Sequence, residues 1–147
     1  MNQSKPQPDA HDDYVLDEQI GYVLRMANQR HTGIFQSLIC KNLTPTQFSV
    51  LIRLSEKGEL SQNLLGRLVA LDTATTKGVV DRLRAKALIQ SRPDASDKRR
   101  AIISLTEQGL SIISTLKNNS LQITKETLSP LNVAEKRDLM VLLKKII

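Results

Sequence analysis

Tryptophan is absent from the 147 residues, and two tyrosines and two phenylalanines make up the whole aromatic complement. So little π surface leaves few platforms on which unpaired bases stack, which counts against a single-stranded RNA or DNA binder. A single cysteine, Cys40, excludes an internal disulfide, and two histidines alongside it give no Cys/His set for a structural metal. Neither metal nor cofactor is expected. Cys40 has one adjacent cation, Lys41, to favour a reactive thiolate, so it reads as a packed, inert thiol rather than a redox sensor. The same poverty argues against an enzyme. His11 falls in a polar N-terminal stretch, and no Gly-x-Ser-x-Gly, His-Glu-x-x-His, Walker or Gly-x-Gly-x-x-Gly pattern occurs. Also missing are an apolar run approaching the ~20 residues needed to span a bilayer and a basic-then-apolar leader. A cytoplasmic protein without a membrane partner is expected.

What is present is an ordinary globular composition, 40% hydrophobic and 24% charged, sized for one domain with a core. The formal net charge is +6. Between Lys77 and Arg100, eight basic residues (Lys77, Arg82, Arg84, Lys86, Arg92, Lys98, Arg99 and Arg100) meet only Asp81, Asp94 and Asp97, a local excess of +5. A charge run usually means a solvated face, but concentration on one helix and the loop after it favours a polyanion, with nucleic acid ahead of an acidic membrane.

Residues 1–13 hold Pro6, Pro8 and several aspartates with almost nothing apolar, so a disordered tail is expected there. From Leu16 a helical stripe runs through Ile20, Leu24, Ala27, Ile34 or Phe35, and Leu38 to about Cys40, with His31 on it. Thr44-Pro45-Thr46-Gln47 reads as a capping box with proline at the first helical position, opening a helix that buries Phe48, Leu51 and Leu54 and stops at Gly58. Ser61 caps a short third helix carrying Leu64, Leu65 and Leu68. Beyond residue 105, Thr106 caps a long amphipathic helix through Leu110, Ile113, Leu116 and Leu121 to about Leu128, broken at Ser129-Pro130. Asn132 with Glu135 then starts a last helix whose Leu139, Leu142, Leu143 and Ile146 stay apolar to the end. That surplus on the first and last helices predicts a second copy as partner.

The middle of the chain carries the function. Asp72 is a good N-cap, complementing the helix dipole. At 3.6 residues per turn Leu71, Thr75, Thr76, Val79, Val80 and Leu83 turn inward, and Thr73, Ala74, Lys77, Gly78 and Asp81 turn outward. The outward face is small and hydroxylated with one cation, a surface that a DNA groove can approach closely. A protein-docking face would carry larger apolar anchors. Gly78, which costs about 1 kcal/mol in a helix interior, fits close approach to DNA or plain tolerance. Two β-prone runs, 88–92 and 101–105, flank the turn-rich cationic loop 93–100. They form a hairpin with a basic tip.

This succession resembles the MarR (multiple antibiotic resistance regulator) family of winged helix-turn-helix proteins. The resemblance rests on Leu71-Asp72 opening the helix, Val80-Asp81-Arg82-Leu83 closing it, Pro93-Asp94 leading into Asp97-Lys98-Arg99, and Leu105-Thr106 with Gly109 opening the next helix. It covers nearly all of the chain past the first dozen residues. Ala87 stands where the family usually has a turn glycine, which puts a Cβ on a left-handed residue. Lys98 replaces the usual arginine, keeping charge without the planar fork.

The resemblance implies a mainly α fold with a small β-hairpin wing: one domain over 14–147, its winged helix-turn-helix over about 42–105 between dimerisation helices at about 14–41 and 106–147. It implies a homodimeric regulator of transcription, most often a repressor, that binds a pseudo-palindromic operator in double-stranded DNA. Thr73, Ala74, Lys77 and Gly78 would face base edges, with Ser61 reaching a phosphate. Arg82 and Arg84 suit phosphates, though Arg82 suits a neighbouring carboxylate equally. Arg99, flanked by Lys98 and held by Asp97, would enter the minor groove. An adaptor with this fold and no DNA binding would lack the wing cations. The segment 16–22 with Gln29-Arg30-His31 is similar to members that control breakdown of nicotinate-like or hydroxybenzoate-like acids. A small aromatic carboxylate effector at His31, walled by Phe35 and Phe48, is the corresponding expectation.

Overall fold

The computed structural model describes residues 13–147, so the expected tail, apart from Asp13, lies outside the described residues. A 3-10 turn, Leu16–Glu18, precedes helix α1, Ile20–Leu38. The stripe predicted as continuous from Leu16 is therefore interrupted. Gln19 is extended, at φ −84° and ψ 129°, and its side-chain amide donates to Val15 O at 3.1 Å. A second 3-10 turn, Cys40–Asn42, joins α1 to helix α2, Pro45–Lys57. Lys41 and Asn42 both adopt positive φ there, 62° and 51°. The carbonyls of these two residues accept from Lys86 Nζ at 3.0 Å each. Cys40 packs partly buried against the core, and its backbone N–H donates to Asn119 Oδ1 at 3.1 Å.

The capping box at Thr44 and Gln47 forms as the sequence predicts, and Gly58 closes α2 with φ 76°. A two-residue strand β1, Leu60–Ser61, leads into helix α3, Gln62–Leu68, and helix α4, Thr73–Ala85, follows. The α3–α4 crossing is close: a Cβ on Gly66 would collide with the hydroxyl of Thr76. Strands β2, Ile89–Pro93, and β3, Ala101–Leu105, form the wing hairpin, and β1 adds to its far edge in the order β1-β3-β2. The register places Leu60 opposite Ile103 and Ser91 on the other side of the same residue. Ile103 is thus central and fully buried. Helix α5, Glu107–Thr127, is capped by Thr106, and helix α6, Val133–Lys144, by the Asn132–Glu135 box.

One core joins these elements: Leu51 and Leu54 of α2, Leu65 of α3, Val80 and Leu83 of α4, Leu88 at the hairpin base, Ile103, and Leu116 of α5. Burial on α5 falls on Gly109, Ile113, Leu116 and Ile123, while Leu110 and Leu121, expected on the buried stripe, are exposed. Spacings of four, three and seven residues follow the face turned toward α1 and α2, and Leu110 and Leu121 lie off it. Thr75 is likewise exposed rather than inward. The next residue, Thr76, takes the inward place instead, packed against Gly66 of α3.

Three elements meet at the base of the wing. Ala87 takes φ 57°, as its position in the turn predicts, and its carbonyl accepts from the Thr106 hydroxyl at 2.7 Å. Leu88 O accepts from Thr106 N–H at 3.1 Å, and a Cβ on Gly109 would strike that same carbonyl. Glycine at 109 lets the start of α5 lie directly on the root of the hairpin.

Candidate nucleic-acid interface

Helix α4 is presented by its cap. Asp72 Oδ1 accepts from Thr75 N–H at 2.7 Å, and this bond holds the Asp72 carboxyl below the ordinary aspartate range. Thr76, Val79, Val80 and Leu83 are buried, which anchors one face and fixes the rotation of the other. Thr73, Ala74 and Lys77 are thereby exposed on one surface, with Gly78 half-buried beside them. Only the tip of Arg82 comes within van der Waals reach of a Cβ built on Gly78, so packing within the chain gives no reason for glycine there.

Lys77 Nζ donates to Asp81 Oδ2 at 2.8 Å, and Arg84 stands 3.9 Å from the other oxygen. The Lys77 bond is the main cause holding Asp81 below its usual range. Such an exposed i,i+4 pair contributes little to stability, because water and salt screen it. Its lysine can exchange the carboxylate for a phosphate at small cost. Arg82 makes no ion pair among the described residues.

The wing loop is built by its own polar groups. Asp94 N–H donates to Arg100 O, and Arg100 N–H to Asp97 O, both at 2.9 Å. Asp94 Oδ1 accepts from the backbone and the hydroxyl of Ser96. Asp97 grips Arg99 three ways: Oδ1 accepts from the backbone N–H and from Nε at 3.1 Å each, and Oδ2 accepts from Nη2 at 3.3 Å. Those bonds, the side-chain pair first, hold the Asp97 carboxyl below its ordinary value. The Arg99 side chain is nonetheless 91% exposed. An arginine so oriented and so open has prepaid part of its rotamer entropy. Lys98 is exposed beside it without an ion pair among the described residues. At the stalk, Arg92 Nη2 donates to Glu59 Oε1 at 2.7 Å, tying the hairpin to the segment before β1.

Ser61 is only 8% exposed, and its Oγ accepts from Leu64 N–H at 3.3 Å as the cap of α3. Its O–H proton stays available to the small polar cleft it lines with Gln62, Asn63, Arg99 and Arg100. Nothing in the sequence singles out Gln62 and Asn63, and Arg100 is marked there only as one of the basic cluster. Their relevance arises from the placement of α3 beside the wing.

The three residues expected to share a ligand site are divided. His31 Nδ1 lies 2.8 Å from Thr127 Oγ1, in an open cavity of about 420 Å³ that α1, α5 and α6 line with Leu24, Ala27, Leu139 and Leu143. Phe35 and Phe48 do not line it. Phe35 is 4% exposed and meets Phe48 edge to face, ring centres 5.9 Å apart. From His31 onward the same stripe runs back along α5 toward Asn119, which accepts from Cys40 N–H, and one turn on it is buried in the core. Arg30, unremarked as a ligand of anything, donates to Thr127 O at 2.6 Å and Glu126 O at 3.1 Å, holding the last turn of α5 against α1.

A capped, small-faced helix packed across a shorter one, with a three-stranded sheet projecting a braced arginine, defines a winged helix-turn-helix DNA-binding protein. Residues 43–101 match the model of the MarR family. The chain is 40% identical to the HTH-type transcriptional repressor NicR of Pseudomonas putida, over 91% of this chain and 85% of that relative. A probable transcriptional regulator from Pseudomonas aeruginosa superposes with a TM-score of 0.88 at 44% identity, covering 90% of this chain and all of that one. Bordetella bronchiseptica BpsR, whose DNA binding is regulated by 6-hydroxynicotinic acid, superposes with a TM-score of 0.84 at 37% identity, over 90% and 96% of the two chains. The chain belongs to the MarR family and is a DNA-binding transcription regulator rather than an enzyme. No helix among the described residues is long and apolar enough to cross a membrane.

Proposed function

We propose that the protein is a homodimeric repressor that binds a pseudo-palindromic operator and leaves it when a hydroxylated aromatic or N-heteroaromatic acid binds near His31. The observation that carries the DNA-binding half is the shared exposure of Thr73, Ala74 and Lys77 on α4 with the Asp97-braced Arg99 of the wing. Small hydroxyl, methyl and ammonium groups suit base edges and phosphates in the major groove, and an arginine suits the narrow minor groove beside it. Symmetry follows from apolar surface. Helix α6 has no buried residue, and Met140, Val141, Leu142 and Ile146 are exposed, as are Ile20, Val23 and Met26 of α1. A two-fold partner covering both helices removes that surface from water.

The effector half rests on the His31 cavity, whose size suits one ring with its substituents. Leu24, Ala27, Leu139 and Leu143 offer apolar faces for the ring, and His31 and Thr127 offer polar groups for a carboxylate or ring hydroxyl. Similarity to NicR and BpsR makes hydroxynicotinate the acid to try first. Helices α1, α5 and α6 all border the cavity, so a ligand that prefers one spacing of the dimer shifts the population away from the form that fits DNA.

Selection from random duplex DNA should recover a pseudo-palindrome with half-site centres about one helical turn, ~10 bp, apart. Affinity should fall by on the order of 10³ or more between ~50 and ~200 mM salt as phosphate contacts release counterions. Hydroxynicotinate should release the wild-type protein from that operator and fail to release His31→Ala. Equal release of both proteins removes His31 from the effector site, and no preference for any duplex removes the regulator reading.

A further inference from the structure

Helix α1 passes into the DNA-binding lobe through one short turn, Cys40–Asn42, where two successive residues, Lys41 and Asn42, have φ of 62° and 51°. Neither is glycine, so the left-handed pair is costly and persists only where its surroundings hold it. Two distant elements do so. On one side Asn119 of α5 accepts from Cys40 N–H at 3.1 Å. On the other, the carbonyls of Lys41 and Asn42 converge on Lys86 Nζ, at the end of α4, and each accepts from it at 3.0 Å. Lys86 is half-buried and has no carboxylate partner among the described residues. In the sequence it belongs to the basic cluster. In the fold, about two and a half turns of helix separate it from Lys77, so it lies on the opposite side of α4 from that lysine.

A turn of a few residues between two bodies is where a protein ordinarily pivots. Here the pivot is bonded to the end of α4, so α1 and α4 turn as one piece. In a two-fold dimer held through α1, that rigidity fixes both the separation and the phase of the two α4 helices. We infer that Lys86 is a positioning residue: by bridging Lys41 O and Asn42 O it locks α4 to α1 and sets which half-site spacing the protein accepts. With the bridge removed, each α4 is free to follow its own half-site. An ammonium suits the task, because three donors on one compact head reach two convergent oxygens with one to spare. The inference rests on the homodimeric reading given above.

The test measures binding of the full-length protein to the selected operator and to the same operator with one base pair added between its half-sites. That insertion displaces one half-site by about 3.4 Å and about a tenth of a turn. The wild type should bind the lengthened operator about tenfold or more weakly than the selected one. Lys86→Met keeps the stem and removes the donors, and Lys86→Ala removes both. In each, folded by circular dichroism, that ratio should shrink to about threefold or less. Lys86→Arg can still donate to both carbonyls and should keep the wild-type ratio. The slope of log affinity against log salt should stay at its wild-type value in all three, whereas loss of a phosphate contact would lower it by about one. A wild-type ratio in Lys86→Met and Lys86→Ala, or a salt slope lowered by one, overturns the inference. A wild type that binds the two operators equally sinks the two-fold reading, and the inference with it.

Discussion

Arg99 shows how one side chain can be both fixed and available. Its guanidinium and backbone are bound to the same carboxylate, yet almost all of its surface faces solvent. Arg99→Ala should weaken operator binding by about 1–3 kcal/mol without lowering the melting temperature; unchanged affinity would take the wing out of the mechanism. Asp97→Asn keeps the shape and removes the charge that orients the arginine, so it should also weaken binding while leaving Arg99 in place. Acid offers the same test without mutation. The Asp97 carboxyl titrates below its ordinary value in the folded protein, chiefly because of the Arg99 side-chain bonds. A depressed carboxylate holds its contribution above the unfolded range near ~4 and loses it only as pH falls through the lower folded value. Wing-dependent affinity, measured as the wild-type excess over Arg99→Ala, should therefore be flat from pH 7 to about 5. A decline within that window would mean that another group orients the arginine.

The joint between α4 and the hairpin is where elements constrain one another. Ala87 holds a left-handed conformation that costs an L-residue about 1 kcal/mol, and the turn keeps it because its N–H donates to Arg84 O and its carbonyl accepts from the Thr106 hydroxyl. Ala87→Gly relieves that strain but loosens the unfolded chain by ~0.4–1 kcal/mol. The net effect should be a stabilisation of no more than about 0.5 kcal/mol, read from the urea midpoint; a loss above 1 kcal/mol would mean that the Ala87 methyl packs usefully. Elements of this kind were legible in advance where the signal is local. Thr44, Ser61, Asp72, Thr106 and Asn132 all cap as their side chains predict, because a cap involves three or four consecutive residues. Strand β1 escaped notice, since two residues have no period and their only reason to be a strand is β3. The separation of Phe35 and Phe48 from His31 escaped for a related reason: helical spacing sets which residues share a face but not which neighbouring helix each turn of that face meets. Gln62 and Asn63 carry no motif at all, and their place beside the wing depends on Arg99 and Arg100, far along the chain.

At the scale of the whole molecule the basic excess, +5 once Asp81, Asp94 and Asp97 are subtracted, is not shared evenly among its cations. Of the cations nearest the DNA-facing surface, Lys77 has Asp81, Arg84 shares it, and Arg99 has Asp97. Off DNA these carboxylates cancel part of the attraction to any phosphate backbone. On a random duplex Lys77 must leave Asp81 with no base contacts in compensation, whereas on the operator it has them. The Lys77–Asp81 pair thereby becomes a matter of traffic inside a cell. A regulator competes with on the order of 10⁶–10⁹ irrelevant sites, and time spent on those sites is lost to its operator. Asp81→Asn frees the lysine everywhere, so binding to random duplex should tighten several-fold in filter binding at ~100 mM salt, and operator binding should tighten less. Equal tightening on both would show that the pair only tunes affinity. With the expected inequality, the variant would grip DNA harder and find its target more slowly, spending its residence on the rest of the chromosome.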